Sequence, residues 1–267
     1  MPLFMGIDVG SRTSKGVVLK DGEVLASHLV ESGSDYAKAV DALREKLLAL
    51  AKVHQQDIAF TVATGQRISV PFIDETLDDI RCCARGAFRL LPSVRTAIDV
   101  GSQSSQVIRV SERGSVTNFV VSEKCAGGSG RFLDVIANLL RMNIEDIGPA
   151  SLKAQHPVVF STGCAVFGES EAISRVAEGI AKEDILAGVH EAVAAKISAL
   201  VSRVGMEPDC AISGGGGLNV GLVSKIEGKL GVRLLVPPQP QIVNALGAAI
   251  MAEERVRDKH VARPAGR

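Results

Sequence analysis

Two patterns of apolar residues alternate along the 267-residue chain. In 36–50 and 182–204 apolar residues recur every three or four positions, which predicts amphipathic helices. Short apolar runs, as at 58–62 and 158–160, predict strands between the helical segments. Strands that alternate with helices are typical of an α/β fold, in which helices cover a sheet.

A ten-residue segment occurs twice, with an offset of 91 residues. Residues 6–15 read GIDVGSRTSK and residues 97–106 read AIDVGSQSSQ, so six of the ten positions are identical. In each copy an apolar strand ends at an aspartate, a Gly-Ser turn follows and a second β-rich strand begins. Each copy therefore predicts a hairpin at the start of a domain, although a chance match of two turns is the simpler alternative.

The duplication predicts two lobes. We expect the first lobe over 1–95, completed by a helix near 243–254 in which small residues allow close packing. The second lobe is expected over 96–254. Residues 255–267 are mostly charged and small, which predicts a frayed tail.

The duplicated turns are candidates for binding phosphate, because small residues let backbone N–H groups approach phosphate oxygens and hydroxyl groups add donors. We name 8–15 the first phosphate loop and 99–106 the second phosphate loop. The candidate phosphate-binding residues are Gly10, Ser11, Arg12, Thr13, Ser14 and Lys15 in the first and Gly101 and Ser102 in the second. We expect Asp8 and Asp99 to face one cleft, where one carboxylate holds the water shell of Mg²⁺ and the other orients an attacking water.

A run of four glycines follows another apolar stretch, at 214–217. Bare backbone of this kind lets a ligand lie against it, while a flexible surface loop is the alternative. The candidate ligand-binding residues of this segment, 214–219, are Gly214, Gly215, Gly216 and Asn219.

Composition excludes several classes of function. Thirty basic and thirty acidic residues cancel, so the chain lacks the positive field that non-specific nucleic-acid binding uses. One Tyr and no Trp provide no base-stacking platform. No run looks long enough to span a membrane, and the start lacks the basic region of a signal peptide. We therefore expect a cytoplasmic protein that binds neither nucleic acid nor membrane.

Two of the five cysteines, Cys125 and Cys164, lie in Gly-rich loops that precede apolar-periodic segments. A thiol at a helix N-terminus is favoured as thiolate, the form that binds metal. Two thiolates are too few for a four-iron cluster, which needs four, but a twofold dimer would supply each cysteine twice. On chemistry alone, two separated cysteines are more often buried apolar groups, so both interpretations stay open here.

The two phosphate loops, together with an adenosine loop at 214–219, resemble those of the actin, Hsp70 and sugar-kinase ATPase superfamily. This resemblance implies a duplicated actin-like (ribonuclease-H-like) α/β fold, with two lobes around a cleft for ATP and Mg²⁺. The cysteine loops KCAGGSGRFLD and STGCAVFGESE look closely like those of the ATP-dependent activators of 2-hydroxyacyl-CoA dehydratases. They are equally similar to those of the ATPase subunits of benzoyl-CoA reductase. The similarity runs from Gly6 to about Ala252.

The resemblance implies that Cys125 and Cys164 ligate a [4Fe–4S] cluster shared between two subunits of a homodimer or heterodimer. Cys82, Cys83 and Cys210 match no ligand of the family, and we expect them to be structural. Ferredoxin or flavodoxin would supply one electron, and ATP hydrolysis would drive it to a catalytic partner that holds a CoA thioester.

The second phosphate loop departs from the usual family pattern, DIGGQDxK. Asp99, Gly101 and Gln103 remain, and Gln103 joins Asp8 and Asp99 as a candidate catalytic residue. The second acidic residue and the lysine are replaced by Ser104 and Gln106. A subunit paired with a different ATPase subunit tolerates such a change more easily, which favours a benzoyl-CoA-reductase subunit over a dehydratase activator. A small-molecule kinase of the same superfamily and a non-catalytic nucleotide-dependent scaffold are the alternatives.

Overall fold

The computed structural model of the chain describes residues 2–122, 128–161 and 165–261. The strands are β1 (Leu3–Val9), β2 (Thr13–Lys20), β3 (Glu23–Glu31), β4 (Ile58–Gly65), β5 (Glu75–Thr76), β6 (Thr96–Val100), β7 (Ser105–Val110), β8 (Val116–Val121), β9 (Cys210–Ser213) and β10 (Leu234–Leu235). The α-helices are α1 (Tyr36–Ala51), α2 (Asp79–Leu90), α3 (Gly130–Leu139), α4 (Ile144–Ser151), α5 (Ala165–Ala177), α6 (Lys182–Val204), α7 (Val220–Leu230) and α8 (Val243–Val261). The described residues form two units, each with its own sheet.

Unit 1 consists of 2–92, 112–116 and 241–261, and its sheet has the strand order β3-β2-β1-β4-β5. β1 pairs antiparallel with β2 and parallel with β4, which confirms the first predicted hairpin. Every residue of β1 is buried. α8 lies directly on this strand: a Cβ on Gly6 would come within 2.0 Å of the Ala245 carbonyl oxygen, so only glycine permits the contact. The small residues of α8 therefore bring helix and sheet close together, as predicted.

α8 continues beyond residue 254, so the prediction of a frayed tail is wrong for 255–261. The guanidinium group of Arg255 donates two hydrogen bonds to the Glu75 carboxylate, at 2.7 and 2.9 Å. Arg85 pairs with Glu254 one residue earlier in the helix. These long-range partners fix the charged end of the helix, which its local sequence does not reveal. Residues 262–267 lie outside the described part of the chain.

Unit 2 consists of 93–111 and the described part of 117–240, and its sheet has the order β10-β9-β6-β7-β8. β6 pairs antiparallel with β7 and parallel with β9, which confirms the second predicted hairpin. The run 158–160 is not a strand, contrary to our prediction. Its Val158 N–H donates to the carbonyl of Asp184 at 3.0 Å, so the start of α6 takes the place of a strand partner.

α6 is the central helix of unit 2. It is long enough and apolar enough to cross a membrane by length and composition alone, which the sequence pattern had not led us to expect. Of its most apolar stretch, 61% is buried inside the structure, as is expected of a core helix. Its buried side chains belong to the same apolar cluster as those of α3 and α7.

Candidate functional site

Asp8 lies near the carboxyl end of β1, buried in unit 1. The antiparallel register places Lys15 of β2 directly opposite. The Lys15 ammonium group donates to Oδ2 of Asp8 at 3.2 Å, and both side chains are largely shielded from solvent. The first phosphate loop therefore combines a buried carboxylate with a cation that comes from its own hairpin.

The turn between Asp8 and Lys15 is closed from one side by Ser32. The Ser32 hydroxyl donates to the Gly10 carbonyl at 2.6 Å, and its backbone N–H donates to the Arg12 carbonyl at 2.9 Å. Ser14 is fully buried, and its hydroxyl lies 2.9 Å from that of Ser32. Ser14 is thus engaged inside unit 1. Gly10, Ser11 and Thr13 are partly exposed, and Arg12 is exposed.

Asp99 occupies the equivalent place in unit 2, buried near the end of β6. The register places Gln106 of β7 opposite it, and the Gln106 amide donates to Oδ2 of Asp99 at 3.1 Å. The Ser213 hydroxyl of β9 donates to Oδ1 at 2.9 Å. Two neutral donors therefore hold the Asp99 carboxylate, where Lys15 provides a charged donor for Asp8.

The equivalence between the units extends to a third strand that sequence comparison did not reveal. β4 runs parallel to β1 and places Thr64 beside Asp8, while β9 runs parallel to β6 and places Ser213 beside Asp99. In each unit a hydroxyl residue and then a glycine end this strand. The signal in the sequence is only a hydroxyl-Gly pair, which is too common to be recognised without the structure.

Both of these glycines, Gly65 and Gly214, have left-handed backbone, with φ of 85° and 75°. A Cβ at either position would lie 2.5 Å from the carbonyl oxygen of Val9 or Val100, respectively. It would also lie within 3.0 Å of Oδ1 of the neighbouring aspartate. The space beside each carboxylate therefore requires glycine.

The glycine loop turns directly from β9 into a 3₁₀ helix, Gly215–Leu218. Gly214 is partly exposed and Gly215 exposed, so their backbone is open to a ligand, whereas Gly216 is buried. Asn219 has a structural role: its Oδ1 accepts from the backbone N–H of Leu222 at 3.0 Å and so caps α7. The loop thus offers backbone, while its asparagine is used to begin the helix.

His190 is a buried residue beside this loop that sequence reasoning did not identify. Its Nδ1 lies 2.7 Å from the Leu186 carbonyl and its Nε2 lies 3.0 Å from Oδ1 of Asn219. Burial lowers the pKa of His190 and Lys225 lowers it further, while the two oxygen acceptors oppose the shift. A neutral ring donates to one of these acceptors, and only the cation donates to both.

The second phosphate loop turns between Asp99 and Gln106. The Gly101 N–H donates to the Ser104 carbonyl at 3.0 Å and closes the turn. Gly101 and Ser102 are partly exposed, and Gln103 is exposed at its tip. The side chain of Gln103 is therefore available to a ligand, consistent with its selection as a candidate.

Cys125 and Cys164 lie outside the described residues, so their assignment as cluster ligands stays a prediction. The other three cysteines, Cys82, Cys83 and Cys210, are buried. Burial raises the pKa of Cys82 to about 12 and also raises the pKa of Cys210. Protonated thiols are poor metal ligands, which agrees with a structural role for these two. The described part of the chain contains no group of three or more His, Cys, Asp or Glu able to hold a metal.

The sequence is similar to known proteins over nearly its whole length. Residues 5–252 match the model of the BadF/BadG/BcrA/BcrD ATPase family. The chain belongs to this family. The (R)-2-hydroxyglutaryl-CoA dehydratase activating ATPase of Acidaminococcus fermentans is 41% identical over 94% of this chain and 97% of the relative. One of the subunits of the benzoyl-CoA reductase of Thauera aromatica is 30% identical over 94% of this chain and 93% of the relative.

Solved structures confirm the fold of this BadF/BadG/BcrA/BcrD ATPase. The activator of the 2-hydroxyisocaproyl-CoA dehydratase from Clostridium difficile with bound ADPNP is similar at a TM-score of 0.92 and 35% identity, over 99% of this chain and 100% of that one. MreB 5 of Spiroplasma citri bound to AMPPNP, at 13% identity and a TM-score of 0.58, shares only the fold, over 98% and 99% of the two chains. The chain therefore has the actin-like ATPase fold that the resemblance implied.

Proposed function

We propose that this BadF/BadG/BcrA/BcrD-family ATPase is the activator of a 2-hydroxyacyl-CoA dehydratase. It would use ATP to drive a low-potential electron from ferredoxin or flavodoxin, through a cluster between two subunits, to the dehydratase. The observation that carries the ATPase part is the duplicated buried carboxylate. Asp8 and Asp99 each end a central strand, beside a glycine turn and a glycine with left-handed backbone.

The residues of the two loops fit Mg²⁺ and ATP. Carboxylate oxygens are the ligands that Mg²⁺ prefers, usually through retained water. Asp8 and Asp99 are buried and fixed by hydrogen bonds, which suits one to hold the metal's water shell and the other to orient an attacking water. Lys15 and the exposed backbone of the first phosphate loop would bind phosphate, with Gln103 at the second. The backbone of Gly214 and Gly215 would face the adenosine.

The cysteines fit a [4Fe–4S] cluster by number and chemistry. Burial keeps Cys82 and Cys210 protonated, which leaves Cys125 and Cys164 as the thiols suited to bind iron. Two chains supply four thiolates, the number that such a cluster needs. When bound, the cluster accepts and donates one electron at a time, at a potential set by its surroundings. The contribution of the chain is to present the two cysteines and to change their surroundings with the nucleotide state.

The choice of a dehydratase activator changes our expectation from the sequence, which leaned towards a benzoyl-CoA-reductase subunit. Three dehydratase activators are 37–41% identical to this chain, whereas the benzoyl-CoA-reductase relative is 30% identical. A reductase subunit remains the second candidate because of one observation: Gln106 stands where the usual loop has lysine, and it is bonded to Asp99.

The remaining parts of the proposal concern partners and location. The protein would act in the cytoplasm as a homodimer or heterodimer, since two cysteines per chain are half of a ligand set. Its docking partner would be the protein that holds the CoA thioester. Neither nucleic acid nor membrane is a proposed partner, given the balanced charges and the burial of α6.

The test uses protein purified without oxygen, mixed with reduced ferredoxin and either a 2-hydroxyacyl-CoA dehydratase or the catalytic subunits of benzoyl-CoA reductase. We expect ATP-dependent reduction of the dehydratase, and no reduction when ADP replaces ATP. Reduction of the benzoyl-CoA-reductase subunits alone would select the second candidate. ATP-dependent phosphorylation of a sugar without electron transfer would show that the protein is a kinase.

A further inference from the structure

Ser105, the first residue of β7, holds both ends of the segment 123–127, which carries Cys125 and lies outside the described residues. Before the segment, the Ser105 N–H donates to the Ser122 hydroxyl at 2.9 Å and its carbonyl accepts from the Ser122 N–H at 2.7 Å. After it, the Ser105 hydroxyl donates to the Gly128 carbonyl at 2.6 Å. Three polar groups of one fully buried residue are therefore bonded to the two flanks.

The turn of the second phosphate loop is bonded to the same region. The Gly101 carbonyl accepts from the N–H of Gly130, and the Ser102 carbonyl accepts from the N–H of Arg131, each at 2.9 Å. Gly130 and Arg131 are the first residues of α3. The loop that would contact phosphate and the chain on both sides of Cys125 are thus connected by backbone and buried hydroxyl hydrogen bonds.

Unit 1 shows that this arrangement is not required by the hairpin itself. The residue equivalent to Ser105 is Ser14, 91 positions earlier, and its hydroxyl lies 2.9 Å from that of Ser32. Ser32 in turn donates to the Gly10 carbonyl, so the first phosphate loop closes on the residue that follows its own sheet edge. In unit 2 the corresponding bonds go to the flanks of the Cys125 segment.

We propose that Ser105 is a positioning residue that transmits the nucleotide state of the second phosphate loop to Cys125. The proposal rests on the proposed function, in that nucleotide binds this loop and Cys125 is a ligand. A buried hydrogen bond is costly to leave unmade, so a displacement of β7 or of the turn is followed by both flanks. The surroundings of a ligating sulfur set the potential of a cluster, so this displacement reaches the electron-transfer step.

The experiment measures alkylation of Cys125 in iron-free protein, so its readout needs no cluster. The rate of iodoacetamide labelling is followed by peptide mass spectrometry, with and without Mg-ADPNP. Nucleotide affinity is measured separately by calorimetry. We expect ADPNP to change the rate by about fivefold or more, a typical coupling between two sites. In Ser105→Ala the change is expected to fall below about twofold, while ADPNP still binds.

Two further variants separate positioning from general loss of stability. Ser151→Ala is the matched control: Ser151 is also buried in unit 2, and its hydroxyl donates to the Gly148 carbonyl at 2.7 Å. It should keep the wild-type response. Ser105→Thr retains the hydroxyl and should restore the response.

A full response in Ser105→Ala would overturn the proposal, as would a wild-type protein that binds ADPNP without any change at Cys125. Both results leave the proposed function standing, because iron binding and ATP-dependent reduction are measured apart from this coupling. Failure of the wild type to bind ADPNP would instead remove the proposed function together with the coupling.

Discussion

The amide of Gln106 donates to Oδ2 of Asp99 at 3.1 Å, where the ammonium group of Lys15 donates to Oδ2 of Asp8 at 3.2 Å in the other unit. The two contacts arise from equivalent strand registers. The geometry of the duplicated site is therefore kept, while the second unit loses one positive charge from its carboxylate. This substitution preserves the position of Asp99 and changes the electrostatics around it.

Restoring the charge tests this view. Gln106→Lys should raise the rate constant of ATP hydrolysis by about tenfold, because a fixed cation stabilises the charge that develops on phosphate. Gln106→Glu has nearly the same shape and places a second negative charge beside Asp99, so it should lower that rate constant. Phosphate release at saturating Mg-ATP measures both. Equal rates in the two variants would show that charge at this position has no part in hydrolysis.

The two carboxylates are expected to be essential for turnover. Asp8→Asn and Asp99→Asn should each reduce ATP hydrolysis by about 10²-fold or more, since each removes a charge that a preorganised site needs. Asp41→Asn, at a half-exposed position of α1, is the control and should retain the wild-type rate. Normal hydrolysis in either of the first two variants would remove that aspartate from the site.

The left-handed glycine beside Asp8 allows a matched pair of substitutions. Gly65→Ala and Gly22→Ala both place alanine at positive φ, 85° and 77°. Only the first also brings Cβ to 2.5 Å from a carbonyl oxygen, whereas no atom lies within 4 Å at Gly22. Gly65→Ala should therefore lower the free energy of unfolding by about 1–3 kcal/mol more than Gly22→Ala. Urea denaturation measures the difference, and equal losses would show that backbone strain alone sets the cost.

His190 predicts a dependence of stability on pH. Because its pKa in the folded protein lies below 6.5, the unfolded chain binds protons more readily as the pH falls below 6.5. The free energy of unfolding should therefore decrease between pH 7.5 and pH 5.5, and this decrease should be smaller in His190→Gln. Urea denaturation at the two pH values measures it. The exposed His156 provides the control, since His156→Gln should keep the wild-type decrease. The same decrease in His190→Gln would refute this assignment.

The sequence predicted those parts of the fold that repeat or that local pattern determines. The hairpins at Asp8 and Asp99 were predictable because six of ten positions are identical in the two copies. α1 and α6 were predictable because their apolar spacing extends over many residues. The match of Thr64 with Ser213 was not, because it depends on parallel pairing between strands far apart in the chain.

The errors have the same cause. Arg255 was expected in a frayed tail because its helix-stabilising partner, Glu75, lies 180 positions away. Asn219 was expected to contact nucleotide, and its side-chain oxygen instead caps α7 and faces His190, a residue of α6. Residues whose partners are distant in sequence are those that local pattern describes least well.

The central claim is that two chains share a cluster held by Cys125 and Cys164. Its direct test is the content of iron and acid-labile sulfide per dimer in protein purified without oxygen. We predict about four of each in the wild type, little or none in Cys125→Ala, and a full complement in Cys210→Ala, whose thiol is buried. Absence of iron from the wild type after attempted reconstitution, or unchanged iron in Cys125→Ala, would contradict the account.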